Sequence, residues 1–305
     1  MNYDTLIDDE TWAFIRETET YYPADTITAD IATQRAIYDR MCRAFFTGYP
    51  DGVSARDDMA GSVPIRIYEG TRHDATVIYY HGGGFVVGGL DSHDDVCAEI
   101  CERSGVRVVS ADYRLCPEHK HPAAYDDALE VAQYVALTWP SSLILAGDSA
   151  GGNLAAAVAH STRGDSRYTG QVLIYPGLGG DMSKGSYLSH AHAPMLTLDD
   201  ILFYQAMRYQ DEVPGCDPTS APLQATSFAD LPPTLIVTAE CDPLADDGQH
   251  YRDAILAARG RVRWVNEPGL VHGYLRARYS VTRARLSFDR IVAAIGMFAR
   301  GEWYD

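Results

Sequence analysis

The stretch that most constrains this chain runs from Leu143 to Ala159. Leu143-Ile144-Leu145-Ala146 is apolar and stops at Gly147; Ser149 follows, then Gly151 and Gly152, then a run of small residues from Ala155 to Ala159. The pattern predicts a buried strand, a very tight turn and a helix packed closely on the sheet. A serine at the apex of such a turn is forced into a strained backbone conformation and its hydroxyl is lifted clear of the sheet. Side chains two residues to either side would collide, which is the physical reason for the G-x-S-x-G spacing. The bland reading is a glycine-rich turn whose serine only caps the helix.

Around this unit, strands alternate with helices. Strand-like runs are Val63–Tyr68, with one face exposed, and Ala75–Tyr80, Val106–Ala111, Gln171–Tyr175, Thr234–Thr238 and Arg261–Asn266; helical spacing covers Ser92–Arg103, Ala123–Leu137, about Asp246–Ala258 and Ser280–Phe298. Gly260 reads as the stop of the helix before it. Such alternation over 305 residues means one large α/β unit with a mainly parallel sheet covered on both faces. Two segments stand apart. Residues 1–50 carry two helical patterns with no strand before them, and 181–230, with a helical pattern over Thr197–Tyr209, is too long for an ordinary connection. We therefore expect a core of 51–180 and 231–305, with 1–50 and 181–230 packing together as a helical cap.

A serine hydroxyl needs a base, and the base needs an acid to orient it and stabilise its charge. In a parallel sheet these groups gather beyond the carboxyl ends of the strands. Of the ten histidines, His272 follows the last strand through the short stretch Glu267–Val271 and precedes Gly273, which permits a sharp turn. Asp242 comes directly after the strand Thr234–Thr238; Glu240 is a rival, as are Asp246 and Asp247, although these two sit where acids merely favour a helix dipole. Acyl transfer also needs donors for a developing oxyanion. His81-Gly82-Gly83-Gly84-Phe85 follows the strand ending at Tyr80, and three glycines let its amides converge. This matches the H-G-G-G loop of lipases and esterases, in which the N–H after the nucleophile, here that of Ala150, adds a donor. His81 itself reads as a structural residue of the loop.

His81–Phe85, Asp112-Tyr113-Arg114-Leu115-Cys116-Pro117-Glu118, Gly147–Gly152, Asp242-Pro243-Leu244 and His272-Gly273 together make the chain resemble the hormone-sensitive-lipase-like α/β-hydrolases, in the bacterial carboxylesterase branch with a G-D-S-A-G elbow. Cys116 departs from the alanine common in that family. The resemblance implies an eight-stranded, mainly parallel sheet, a cap, oxyanion donors at Gly83, Gly84 and Ala150, and a serine carboxylesterase for short- to medium-chain esters, with catalytic residues Ser149, Asp242 and His272. It implies no cofactor and no metal. Amide, carbamate or lactone hydrolysis by the same triad is the alternative within enzymes. A ligand receptor on this fold, as in plant gibberellin receptors, is the alternative outside them. Chain length would be set by cap residues, with Phe85, Met195, Leu196 and Phe203 the substrate-binding candidates and Phe14, Phe45 and Met207 further possibilities.

A net charge of −17 repels polyanions, so nucleic acid and anionic membranes are not expected partners. No apolar run approaches transmembrane length. Met1–Glu10 holds four acidic residues and no apolar h-region. Six cysteines without a C-x-x-C pair read as free thiols. The expectation is a cytoplasmic enzyme acting on a small-molecule ester, without stable membrane association and with a homodimer allowed. Because the base must be neutral to accept a proton, activity is expected to fall below about pH 6.5, the ordinary imidazole value.

Overall fold

The computed structural model describes residues 1–23, 25–70, 74–209 and 216–304. In chain order its elements are α1 (Asp9–Tyr21), α2 (Ile31–Phe45), β1 (Ser54–Ala60), β2 (Val63–Glu69), β3 (Ala75–Tyr80), α3 (Asp94–Ser104), β4 (Arg107–Ala111), α4 (Ala123–Thr138), β5 (Ser142–Asp148), α5 (Ala150–Ser161), β6 (Tyr168–Ile174), α6 (Gly185–Ser189), α7 (Leu198–Arg208), β7 (Thr234–Cys241), α8 (Ala245–Ala257), β8 (Val262–Val271) and α9 (Thr282–Ala299). The eight strands form one sheet in the order β1-β2-β4-β3-β5-β6-β7-β8. β2 runs antiparallel to β1 and β4, and all other neighbours are parallel. This is an α/β-hydrolase sheet.

The apolar runs become central strands because alternate residues enter two different cores. Ile78, Tyr80, Leu143 and Leu145 pack on one face with α4 and α5, while Val77, Tyr79, Ile144 and Ala146 pack on the other with α3 and α9. A strand buried on both faces needs no polar alternation. Helix starts follow their caps: Asp8 accepts from Thr11 N–H at 2.9 Å, Asp30 from Thr33 N–H at 2.9 Å, and Thr197 and Asp200 cap α7 reciprocally.

Three local expectations are corrected. β1 was not anticipated: Ser54–Ala60 is polar and mostly exposed, an edge strand whose only neighbour is β2. β8 does not stop at Asn266. It continues to Val271 past a bulge, Ala239 facing Glu267 and Cys241 facing Val271, with Gly269 at φ +66° donating its N–H to Glu240 at 2.7 Å. Helix α8 ends on Arg259, not Gly260, in the left-handed conformation (φ +60°). The N–H groups of Arg259 and Gly260 close on the carbonyls of Leu256 and Ile255, both at 2.9 Å, the Schellman pattern with glycine one position late. Gly260 is still constrained, since a Cβ there would meet the Ile255 side chain at 2.6 Å.

Candidate active site

Four segments that leave the carboxyl ends of neighbouring strands converge. Ser149 follows β5, the His81–Phe85 loop follows β3, Asp242 follows β7 and His272 follows β8. Ser149 sits at φ +55°, ψ −117°, a conformation that non-glycine residues occupy only under constraint. The constraint comes from close packing of the turn. A Cβ on Gly147 would lie 2.4 Å from the backbone of Gly151, and one on Gly151 would lie 1.8 Å from the carbonyl of Tyr80. Both glycines are therefore required by the crossing of α5 over the strand ends.

The Ser149 Oγ lies 2.8 Å from His272 Nε2, and His272 Nδ1 lies 2.7 Å from Asp242 Oδ2. Asp242 is fully buried and its other oxygen accepts from Leu244 N–H at 2.9 Å. The imidazole is thus oriented by a carboxylate on one side and presents its second nitrogen to the serine on the other. The Tyr175 ring, 4.8 Å from the imidazole between centroids, packs beside it. Gly83 and Gly84 adopt φ +128° and +60°. The N–H groups of Gly83, Gly84 and Ala150 meet no acceptor among the described residues, whereas those of Val86 and Val87 both close on the Gly83 carbonyl at 3.0 Å. Three unused amides therefore belong to the glycine loop and the serine turn, which meet where Gly82 N–H donates to Asp148.

The rival acids have other work. Asp247 accepts from Leu178 N–H at 2.6 Å and from the Tyr187 hydroxyl at 3.0 Å, and Asp246 accepts from Ser186 N–H at 2.8 Å. Both pin the chain that follows β6 onto α8 instead of only serving a helix dipole. Glu240 holds the bulge that leads to His272. His81 is buried and neutral in the loop: its Nδ1 donates to the Gly82 carbonyl at 2.7 Å, its ring stacks on Tyr113, and burial together with the neighbouring His93 pushes its pKa down to about 4. His250 is exposed on α8.

The other named residues are placed as follows. Phe85 is buried at φ +65°, with the Arg208 guanidinium of α7 3.7 Å from its ring centroid. Met195 adopts φ +73° and packs at the edge of the core that contains α9. Leu196 is buried with Tyr187 and Leu244. Phe203 is half-buried beside Tyr204. Phe14 is a core residue packed edge-on to Phe45.

Three contributors had no sequence signal strong enough to single them out. Asp148, buried under the elbow, accepts from Gly82 N–H at 3.0 Å, from the Tyr79 hydroxyl at 2.9 Å and from His93 at 3.2 Å, so it ties the glycine loop to the serine turn. Burial raises its pKa, but His93, Arg276 and the Tyr79 hydroxyl outweigh that and hold it well below the usual carboxylate range. Tyr204 of α7 lies on Gly84, where a Cβ would meet its ring at 2.4 Å. Arg278, buried, pairs with Asp95 at 2.7 Å and Glu99 at 2.6 Å, which fixes the turn after His272 against α3.

Comparison with known proteins agrees with this geometry. The alpha/beta hydrolase fold family matches residues 77–276. Carboxylesterase NlhH of Mycobacterium tuberculosis is 38% identical over 256 residues, 76% of this chain and 77% of that protein. Esterase LipI of the same organism is 37% identical over 262 residues, 81% and 82% respectively. A crystal structure of an esterase from Pyrobaculum calidifontis superposes with a TM-score of 0.83 at 32% identity, covering 90% of this chain and 94% of the other. The chain belongs to the α/β-hydrolase family, in its hormone-sensitive-lipase-like branch. Within that branch it is a carboxylic ester hydrolase.

Proposed function

We propose that Ser149, His272 and Asp242 are the catalytic triad of a serine carboxylesterase. His272 Nε2 accepts the Ser149 proton as the oxygen attacks the ester carbonyl. Asp242 holds the tautomer and stabilises the imidazolium. The amides of Gly83, Gly84 and Ala150 receive the charge that develops on the carbonyl oxygen. His272 then returns the proton to the leaving alcohol, and a water activated by the same nitrogen releases the acid from Ser149. The observation that carries this reading is the single imidazole bridging Ser149 at 2.8 Å and Asp242 at 2.7 Å. A receptor on this fold would have no need of that bridge.

The substrate is a small ester with a short- to medium-chain acyl group, in keeping with Tyr204 lying directly on the glycine loop. Residues 1–50 and 181–230, of which 24 and 210–215 lie outside the described residues, form the cap, supported by the Tyr3 hydroxyl 3.3 Å from His190 and by Tyr22 and Tyr204 packing on the same core. Phe85, Met195, Leu196 and Phe203 are its candidates for contact with the acyl chain. No described helix is long and apolar enough to cross a membrane, and the reading is of a cytoplasmic enzyme. Hydrolysis of p-nitrophenyl butyrate tests the triad. The Ser149→Ala protein is expected to lose about 10⁴-fold or more in kcat and to resist labelling by an organophosphonate that modifies the unaltered enzyme. Wild-type turnover by Ser149→Ala would overturn the assignment.

A further inference from the structure

Arg276 lies four residues after His272, in the short helix Tyr274–Tyr279 that follows the Gly273 turn. Its guanidinium is buried, and the residue as a whole is half-buried. No carboxylate lies within 4.0 Å of it among the described residues. Among the described residues its side-chain partners are the Tyr38 hydroxyl at 2.6 Å and the Cys42 sulfur at 3.3 Å, and its Nε is buried without an acceptor. Other buried arginines have either a carboxylate or two amide-type oxygens. Arg278 has two carboxylates, Arg107 has Glu69, and Arg208 has the Ser220 carbonyl and the Asn153 amide oxygen. An arginine stays charged wherever it is placed, and a buried charge without a carboxylate in contact is costly; Asp148 acts on this one only from beyond 4.0 Å. A phenol and a thiol are weak substitutes for a carboxylate.

The position of this cation gives the imbalance a use. Its Nη1 lies 3.8 Å from where a Cβ on Gly273, the residue after His272, would stand. The Tyr38 ring lies 5.0 Å from the guanidinium carbon, Tyr22 packs edge-on to Tyr38, Tyr22 and Tyr204 pack on the same core, and Tyr204 lies on Gly84. An arc of one guanidinium and three phenols thus runs from the His272 turn to the glycine loop. The arc itself contains no carboxylate.

We propose, building on the triad reading above, that Arg276 is a specificity-determining residue that binds a free carboxylate on the substrate, and that preferred substrates are esters carrying one. The two placements of that carboxylate are on the acyl side, as in half-esters of dicarboxylic acids, and on the alcohol side, as in acetyl esters of hydroxy acids.

The test compares kcat/KM for the monoethyl esters of succinic, glutaric and adipic acids, each against its diethyl ester, and for acetoxy acids against their methyl esters. The charged-to-neutral ratio cancels any general loss from altered packing. The unaltered enzyme is expected to favour the charged member of at least one pair, and Arg276→Gln is expected to lower that ratio about tenfold or more, the scale of a charge-assisted hydrogen bond. Arg276→Lys is expected to restore part of it. Binding of the same ligands to Ser149→Ala protein, by calorimetry, gives a readout that needs no turnover; adding Arg276→Gln should weaken it by a similar factor. Absence of any preference for the charged member in the unaltered enzyme, or an unchanged ratio and affinity in Arg276→Gln, would overturn the proposal. Failure of the unaltered enzyme to hydrolyse p-nitrophenyl butyrate would instead strike the triad reading, leaving the binding comparison to decide this one.

Discussion

Replacing Asp148 tests whether the glycine loop is held in place from beneath. Its carboxylate is 3% exposed and accepts from Tyr79, Gly82 N–H and His93, with the Tyr175 hydroxyl at 3.4 Å. Asp148→Ala removes the acceptor and strands these donors in the interior. Two well-formed bonds to a charged acceptor are worth about 1.5–3 kcal/mol each. Breaking a buried charged contact by deleting one partner costs about 3–5 kcal/mol. The two routes agree, and the loss is a large share of the roughly 5–15 kcal/mol that holds an ordinary domain together. Because the folded-state pKa of Asp148 lies below its unfolded value, its contribution is complete above the ordinary carboxylate pKa of about 3.9 and is lost only as pH falls below that, so comparison at pH 7.5 captures all of it. Gly82 N–H is one of the donors released, and the neighbouring amides of Gly83 and Gly84 are expected to drift. A displacement of about 1 Å costs on the order of 10²-fold in kcat. Urea unfolding followed by circular dichroism and p-nitrophenyl butyrate kinetics measure the two effects. Asp148→Asn, which keeps one acceptor oxygen, should fall between. An Asp148→Ala protein with an unchanged urea midpoint and full kcat would refute the reasoning.

Two further outcomes follow from the packing and the buried titrating groups. Gly151→Ala should yield little soluble protein, because its Cβ would stand 1.8 Å from the Tyr80 carbonyl and neither backbone can retreat; soluble expression at the level of the unaltered protein would show that the elbow is not close-packed. Stability should decline as pH falls from about 6.5 to 4. Burial, with help from His93 and Arg163 respectively, depresses His81 and His160 to about 4, so in this window the unfolded chain takes up two protons that the folded chain refuses. Asp247, raised by burial to about 6, opposes them because the folded chain binds its proton first. The net loss is on the order of 3 kcal/mol, and His160→Gln should remove much of the slope. Equal urea midpoints at pH 7.5 and 4.5 would contradict this.

The parts of the site that were legible were those whose reason is local. Gly147, Ser149 and Gly151 announce a turn that only small residues can make, and Gly83 and Gly84 announce exposed backbone. Asp242 could be placed because β7 before it is apolar and buried on both faces, and His272 because it follows the last strand and precedes a glycine that permits a sharp turn. Where the reason was a neighbour distant in the chain, local reading failed. Ser54–Ala60 is a strand only because β2 pairs with it. The Glu267–Val271 stretch extends β8 because Glu240 captures the Gly269 amide. Arg259 takes the left-handed position at the end of α8, which the sequence pattern had pointed to Gly260 to fill.

The amino-acid order by itself therefore determined the alternation of buried strands and helices, the strained serine turn and the chain order of serine, acid and histidine, since each rests on residue size, polarity and spacing within a few positions. Only the tertiary structure decided that Asp148 fastens one loop to the other, that Asp246 and Asp247 pin the inserted segment, that Tyr204 covers Gly84 and that Arg276 has no carboxylate within 4.0 Å among the described residues. Those facts depend on which side chains meet across the ends of the strands. The charge on Arg276 is written in the sequence, but whether that charge is already answered depends on what the folded chain brings within about 4 Å of it.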